Sequence, residues 1–227
     1  VGAVAGLKMN YDWEKDLAPV TVIGDTPLAI AVHPSVGVGS IRELLDYARR
    51  NPGKLSYGTP GSGSSMHFAG ESLKAIAGLF IVHIPYRGAA PAVADLLGGQ
   101  VQVGIVGMPP VIGPHKAGKI RIVAVTSERR SGATPDIPAM AELPGFGGYS
   151  FTNWTGVFMA AKTPPAVIER LATEIGKATK EPVIRDRLVA AGVDPLGLST
   201  AEAAKFFARE KATYVKIAKA RAIKADD

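Results

Sequence analysis

The sequence predicts an α/β fold, and two patterns along the chain support this prediction. Short apolar runs rich in β-branched residues, typical of buried strands, alternate with segments whose apolar residues repeat at helical spacing. Glycine, proline or charged residues bound each segment, so the connections are short. This alternation favours a mostly parallel sheet, in which ligands bind beyond the carboxyl ends of the strands.

The strand pattern occurs in six apolar runs, all in the first 125 residues. Valine, isoleucine and leucine dominate these runs, as expected of strands that are buried on both faces. We predict strands at Val20–Ile23, Leu28–Val32, Leu55–Tyr57, Phe80–Ile84, Val101–Val106 and Ile120–Val125.

Helices are predicted between these runs and through most of the last third of the chain. The first begins at Ser40, which forms a capping-box pattern with Glu43, and ends before Asn51. Its apolar residues recur at i, i+3, i+4 and i+7 from Ile41, and the same spacing recurs from Ala90.

Three further boundaries follow from caps and prolines. Thr163 and Pro164 provide an N-cap and a first-turn proline for one helix, and Pro182 separates it from the next. Ser199 with Glu202 begins the last long helix.

Composition excludes several kinds of chemistry. The chain contains no cysteine, which rules out disulfides and thiolate nucleophiles. Its four histidines follow no metal-ligand spacing, so we assign no metal, and no pattern calls for a cofactor.

The charge pattern argues against nucleic acid as a partner. The formal charge of +6 arises in residues 205–224, which hold seven basic residues and one acidic residue. A basic excess confined to one helix is typical of a solvated helix face.

The longest uncharged stretch, residues 96–114, is interrupted by prolines and glycines, so we predict no membrane-spanning helix there. No apolar leader opens the sequence, and we expect a signal peptide to have been removed.

The most distinctive loop is YGTPGSGSSMH, residues 57–67, between a predicted strand and a predicted helix. Gly61 and Gly63 permit positive φ, so successive N–H groups can turn toward one point at a helix N-terminus. Serine hydroxyls add further donors. The pattern favours an anion site, with a plain helix N-cap as the alternative. Ser64 stands where a nucleotide P-loop has lysine, so a nucleoside triphosphate is not expected.

A second strand-to-helix loop occurs in PYRGAAPAVADLLGGQV, residues 85–101. Gly88 and Ala89 open a helix whose small side chains let a ligand approach the backbone. Tyr86 either lines the ligand cleft or packs inward, and Arg87 either supplies a charge or points to water. The two loops are expected to be adjacent if their strands are neighbours in the sheet.

Several segments in order resemble one family over nearly the whole chain: the periplasmic receptors of tripartite tricarboxylate transporters, or Bug-type binding proteins. The similar segments are YDWEKDLAPVT (11–21), NPGKLSYGTPGSGSSMHFAGE (51–71), HIPYRGAAPAVADLLGGQV (83–101), AGKIRIVAVTSERR (117–130) and TPDIPAMAELPGFGGYSFTNWTG (134–156).

The resemblance implies a two-lobed, periplasmic-binding-protein type II fold. Residues 1–32 and 151–227 would form the first lobe, and residues 33–150 the second. The first lobe is expected to be incomplete at its N-terminus, because the family's opening strand and Pro/Gly-rich loop have no counterpart here.

The implied function is that of a periplasmic receptor, not an enzyme, that captures a small organic acid and delivers it to membrane transporter subunits. The residues expected to cradle one carboxylate are Thr59, Gly61, Ser62, Gly63, Ser64 and Ser65. Tyr86, Gly88 and Ala89 are expected to line the same cleft.

Two other functions remain as alternatives. The effector-sensing domain of a transcription regulator can share this fold, but it needs a helix-turn-helix module, and the sequence shows none. A hydrolase could use Ser64 or Ser65 as its nucleophile, and would need a general base within reach.

Overall fold

The computed structural model describes residues 10–221 and residue 223. The predicted first-lobe residues 1–9, 222 and 224–227 lie outside this described part. The strands are β1 (Leu17–Val32), β2 (Ser56–Thr59), β3 (Val82–Pro85), β4 (Val103–Gly107), β5 (Arg121–Val125), β6 (Thr152–Ala160) and β7 (Asp194–Pro195). The helices are α1 (Trp13–Asp16), α2 (Ile41–Arg50), α3 (Ser65–Ala77), α4 (Ala89–Leu97), α5 (Pro109–Lys116), α6 (Pro165–Lys180), α7 (Pro182–Ala190) and α8 (Thr200–Arg221).

Strand β1 joins the two parts of this two-lobed α/β fold, because its halves have different neighbours. Residues 17–27 pair antiparallel with β6, and β7 pairs with β1 at residues 24–25. Residues 28–32 pair with β4 and residues 29–32 with β5. The chain therefore passes from a smaller sheet to a larger one without a loop, with β6 beside it. The lobe boundaries given by the resemblance stay a prediction.

The prediction of a mostly parallel sheet is wrong in one respect. In the larger sheet, of order β3-β2-β4-β1-β5, strand β2 is parallel to β3 and β4, as expected. Strand β1 inserts antiparallel to both β4 and β5. The predicted runs Val20–Ile23 and Leu28–Val32 are parts of this one strand, and β6 and α5 were not predicted.

Both faces of the larger sheet are covered. On β1, Leu28 and Ile30 face a cluster that includes residues of α2 and α3, whereas Ala29 and Ala31 face a cluster with residues of α4. This alternation follows from the two-residue period of a strand. Helix α8 contacts both lobes: Phe207 packs in the smaller one and Tyr214 in the larger one.

Most predicted helix boundaries are confirmed. The Ser199–Glu202 capping box forms in both directions, with the Ser199 N–H 2.9 Å from Glu202 Oε2 and the Glu202 N–H 3.3 Å from Ser199 Oγ. Ser40 caps α2, but the Glu43 carboxylate accepts the Gly39 N–H instead of the Ser40 N–H.

Two details of the predicted helices are wrong. Helix α6 begins at Pro165, one residue later than predicted, with Pro164 as its N-cap. The helical spacing of apolar residues in α3 predicts that Ile76 points inward with Leu73, but Ile76 is 45% exposed.

Candidate functional site

The two predicted loops lie side by side at the carboxyl ends of parallel strands. Strands β2 and β3 are neighbours in the sheet, with Thr59 opposite Pro85. The Tyr86 N–H donates to the Thr59 carbonyl at 2.9 Å, and the Gly88 N–H donates to the Pro60 carbonyl at 2.9 Å. The backbones of residues 59–65 and 86–89 are therefore held together, as the sequence predicted.

The N-terminus of α3 presents backbone donors. Ser64 is the N-cap, and its hydroxyl accepts the His67 N–H at 3.2 Å. Within the described part of the chain, the N–H groups of Ser62, Ser65 and Met66 have no hydrogen-bond partner. The first turn of a helix leaves such groups unpaired, and they attract anions.

The N-terminus of α4 adds donors next to these. Gly88 is its N-cap, with φ of 110° and no side-chain cap. The N–H groups of Ala89 and Ala90 have no partner among the described residues, and Pro91 has no N–H. Two helix N-termini, each equivalent to about half a positive charge, therefore lie at one edge of the sheet.

The first loop satisfies part of its own backbone. The Gly61 N–H approaches Thr59 Oγ1 at 3.4 Å, the Gly63 N–H donates to His67 Nδ1 at 3.1 Å, and the Ser64 N–H donates to the Gly61 carbonyl at 3.4 Å. Three of the five amides of residues 61–65, which were all expected to bind an anion, are thus used within the protein. The donors that remain available among the described residues are those of Ser62 and Ser65, together with that of Met66, which the sequence did not single out.

In the described part of the chain, the hydroxyls of the two candidate serine nucleophiles contact groups that are not bases. The Ser64 hydroxyl donates to the Gly61 carbonyl at 2.7 Å, and the Ser65 hydroxyl lies 3.3 Å from Met66 Sδ. A serine nucleophile needs a histidine or carboxylate in contact with its hydroxyl. This geometry gives the hydrolase alternative no support.

Thr59 and Tyr86 support the loops through bonds to other side chains. Thr59 is fully buried, and its hydroxyl lies 2.7 Å from His83 Nε2. The Tyr86 hydroxyl donates to Asp95 Oδ2 at 2.8 Å. Burial, with the added effect of this carboxylate, raises the pKa of Tyr86 to about 12. Arg87, in contrast, is exposed.

A stack of rings lies behind the first loop. His67 stacks on His83 with ring centroids 3.9 Å apart, and His83 stacks on Tyr57 at 4.8 Å. The Tyr57 hydroxyl donates to Glu71, which also pairs with Lys74 at 2.6 Å. His67 caps the loop by accepting the Gly63 N–H, but the sequence contains no sign that His67 meets His83.

A second polar region lies where the crossing strands meet α8. It is a cleft of about 610 Å³, and Asp25 of β1, Asp194 of β7 and Arg209 of α8 are among the residues that line it. Burial and the neighbouring Asp194 raise the pKa of Asp25 to about 6. Asp194 Oδ1 accepts the Gly132 N–H at 3.1 Å, which joins the smaller sheet to the loop after β5. We call this region the hinge cleft.

Neither a membrane-spanning helix nor a cluster of metal ligands occurs among the described residues. None of their helices is long and apolar enough to cross a membrane. No group of three or more histidine, aspartate or glutamate side chains among them could hold a metal ion.

Comparison with known proteins gives a consistent match. The family model described as the tripartite tricarboxylate transporter family receptor matches residues 5–223. A UPF0065 protein from the tcbD–tcbE intergenic region of Pseudomonas sp. strain P51 is 34% identical over 92% of this chain and 62% of its own length. The protein BugT of Bordetella pertussis is 32% identical over 88% of this chain and 61% of its own. The chain thus spans about three fifths of these curated relatives.

Among solved structures, R. palustris Rpa4515 with adipate is 32% identical, with a TM-score of 0.84. The match covers 96% of this chain and 72% of that one.

Proposed function

The chain belongs to the tripartite tricarboxylate transporter receptor family, and from this premise we propose that it captures a small organic acid and delivers it unchanged to the membrane subunits of a transporter. The family consists of solute-binding receptors rather than enzymes. A periplasmic location for the protein is part of the proposal.

The observation that carries the proposal is the pair of helix N-termini at the ends of β2 and β3. Among the described residues, the N–H groups of Ser62, Ser65 and Met66 are unpaired at the start of α3, and those of Ala89 and Ala90 are unpaired at the start of α4. A carboxylate offers two acceptor oxygens, which fits several convergent donors. We therefore propose that one carboxylate binds here, with Gly61, Gly63 and Ser64 shaping the loop.

The two-lobed arrangement supports a ligand held between lobes. We propose that residues 33–150 form the lobe that carries the amide donors, and that residues 1–32 and 151–227 contribute to the other lobe. The switch of β1 from β6 to β4 near residues 27 and 28 supports a hinge at that point. The relative Rpa4515 holds adipate, a dicarboxylate. We accordingly propose small dicarboxylates as the first ligands to test.

The test uses proline to remove single N–H donors. Proline is tolerated at the first position of a helix, where Ser65 and Ala89 stand, and the preceding Ser64 and Gly88 already have extended ψ values of 160° and 174°. Titration calorimetry with adipate should show roughly tenfold weaker binding for Ser65→Pro and for Ala89→Pro, because each loses a charge-assisted hydrogen bond.

Two controls make this test specific. Ser65→Ala removes only the hydroxyl, and Thr200→Pro places proline at the first position of α8, away from the loops. Equal affinity in Ser65→Pro and Ser65→Ala would show that the carboxylate binds elsewhere. A thermal-shift screen in which no mono-, di- or tricarboxylate stabilises the wild-type protein would contradict the receptor function itself.

A further inference from the structure

We propose that His67 and His83 are positioning residues for the carboxylate loop, and that the loop keeps its binding shape only while His67 is neutral. This inference rests on the proposed function, since it concerns the same loop. It assigns a role to two side chains outside the set of proposed carboxylate donors.

The protonation state of His67 follows from one hydrogen bond. The Gly63 N–H lies 3.1 Å from His67 Nδ1. A backbone N–H can only donate, so Nδ1 must carry its lone pair; an imidazolium would present a proton at both nitrogens. The ring is therefore neutral in this geometry. Gly63 has φ of 71°, a left-handed conformation, and the bond to His67 closes the turn around it.

His83 holds the other end of the same loop. Its Nε2 lies 2.7 Å from the buried Thr59 hydroxyl, which also approaches the Gly61 backbone. The two imidazole rings are nearly parallel, with an angle of 18° between them and their centroids 3.9 Å apart. Two positive charges at this distance repel each other, so the stack disfavours protonation of both rings at once.

The carboxylate next to the stack is shared among several groups. Glu71 lies one turn further along α3 and faces His67, and it accepts hydrogen bonds from Lys74 Nζ at 2.6 Å and from Tyr57 at 2.8 Å. Burial raises the pKa of Glu71, but these hydrogen bonds and the charges of Lys74 and His67 outweigh it and bring the pKa below its usual value. Attraction to Glu71 therefore favours a charged His67 and opposes the Gly63 hydrogen bond, which needs a neutral ring.

Acidification should therefore weaken carboxylate binding. Protonation of His67 places an N–H group against the Gly63 N–H and opens the turn that aims the Ser62 and Ser65 donors. A charged imidazole would also attract an anion, which acts in the opposite direction. The direction in which affinity changes with pH shows whether loss of the loop shape or attraction between the imidazolium and the anion prevails. We expect loss of the loop shape to prevail.

Three variants separate the hydrogen bond from the stack. His67→Phe keeps a stacking ring but has no acceptor. His67→Asn keeps an acceptor oxygen near the Nδ1 position and does not titrate. His115→Asn is the matched control, because His115 Nδ1 accepts the Ile122 N–H at 3.3 Å in the same kind of bond on α5.

Adipate is the probe, titrated by calorimetry at pH 8 and pH 5.5, on either side of the ordinary histidine pKa of about 6.5. We expect the wild-type protein and His115→Asn to bind about fivefold to tenfold more weakly at pH 5.5, as for loss of one hydrogen bond. His67→Phe should be weak at both pH values. His67→Asn should recover most of that loss and show little pH dependence. Tighter wild-type binding at pH 5.5, or unchanged pH dependence in His67→Asn, would overturn the proposal.

A measurement without ligand separates this inference from the proposed function. In the ¹⁵N–¹H spectrum of the ligand-free protein, the Gly63 amide should titrate together with the His67 ring, and His67→Asn should abolish the titration. A Gly63 amide that ignores pH in a protein that binds adipate would overturn the positioning role alone. A Gly63 amide that follows His67 in a protein that binds no carboxylate would overturn the proposed function alone.

Discussion

The loop edge at β2 and β3 and the hinge cleft handle charge in opposite ways. At the loop edge, positive potential comes from backbone N–H groups at the starts of α3 and α4, and the nearby Arg87 is exposed. In the hinge cleft, ionisable side chains line a space of about 610 Å³, among them Asp25, Asp194 and Arg209. One region presents fixed dipoles of the kind that attract anions, whereas the other holds ionisable side chains, of which Asp25 has a raised pKa.

The difference shows how each region can be altered. Backbone donors depend on the path of the chain, so a change in conformation should disable them while a change in side-chain charge should not. The hinge cleft depends on side-chain charge, so one isosteric substitution should change its pH response. Three predictions test this contrast, from the largest expected effect to the smallest.

Gly63→Val should cause the largest change. Valine resists positive φ, so the turn at Gly63 would be strained by about 1–3 kcal/mol and the neighbouring donors would lose their direction. We expect adipate affinity to fall by at least tenfold in calorimetry of the folded variant. Gly145→Val is the control, because Gly145 has φ of 84° with open space around it. Tyr86→Phe should bind nearly normally, and a larger loss in Tyr86→Phe than in Gly63→Val would reverse the assignment.

Asp25→Asn should change the pH dependence of stability. Burial raises the pKa of Asp25 to about 6, above its ordinary value of 3.8, so the folded state binds the proton more tightly. The wild-type free energy of unfolding should therefore lose about 1–3 kcal/mol as pH rises from 4 to 7, relative to Asp25→Asn. Urea unfolding at both pH values measures this difference. Asp186→Asn, at an exposed aspartate, is the control, and parallel pH profiles for wild type and Asp25→Asn would contradict the prediction.

Arg209→Gln should have the smallest effect on binding. Arg209 lines the hinge cleft and is exposed, so its removal should leave adipate affinity within about threefold, as for a screened surface charge. Calorimetry at low and moderate salt checks this. A loss of more than tenfold would place the carboxylate in the hinge cleft and end the contrast between the two regions.

Local sequence signals predicted the start of α8 and the adjacency of the two loops. The Ser199–Glu202 capping box formed as expected, since its partners are three residues apart. The two Gly-containing loops are adjacent because consecutive strands, β2 and β3, are parallel neighbours. The availability of individual N–H groups could not be predicted, because it depends on side chains such as His67 that reach back to the loop.

Long-range pairing explains what the sequence analysis missed. Strand β6, with the sequence TNWTGVFMA, has few consecutive β-branched residues, and it is extended because it pairs with β1. Helix α5 contains internal proline and glycine, and it is anchored by Pro109 in its first turn and the fully buried Val111. Nothing at a spacing of sixteen residues indicates that His67 and His83 stack.

The shared strand β1 also bears on how the protein folds. Leu17 pairs with Ala160, so this contact cannot form until the residues of the larger sheet have all been synthesised. At ribosomal speeds of about 5–20 residues per second, that interval is on the order of ten seconds. During it, residues 17–27 lack β6, and an unpaired strand edge readily pairs with other chains. Contacts so distant in sequence also fold slowly. The nascent chain should therefore be most prone to aggregation, and most dependent on chaperones, at the first half of β1 rather than at the two loops proposed to bind the ligand.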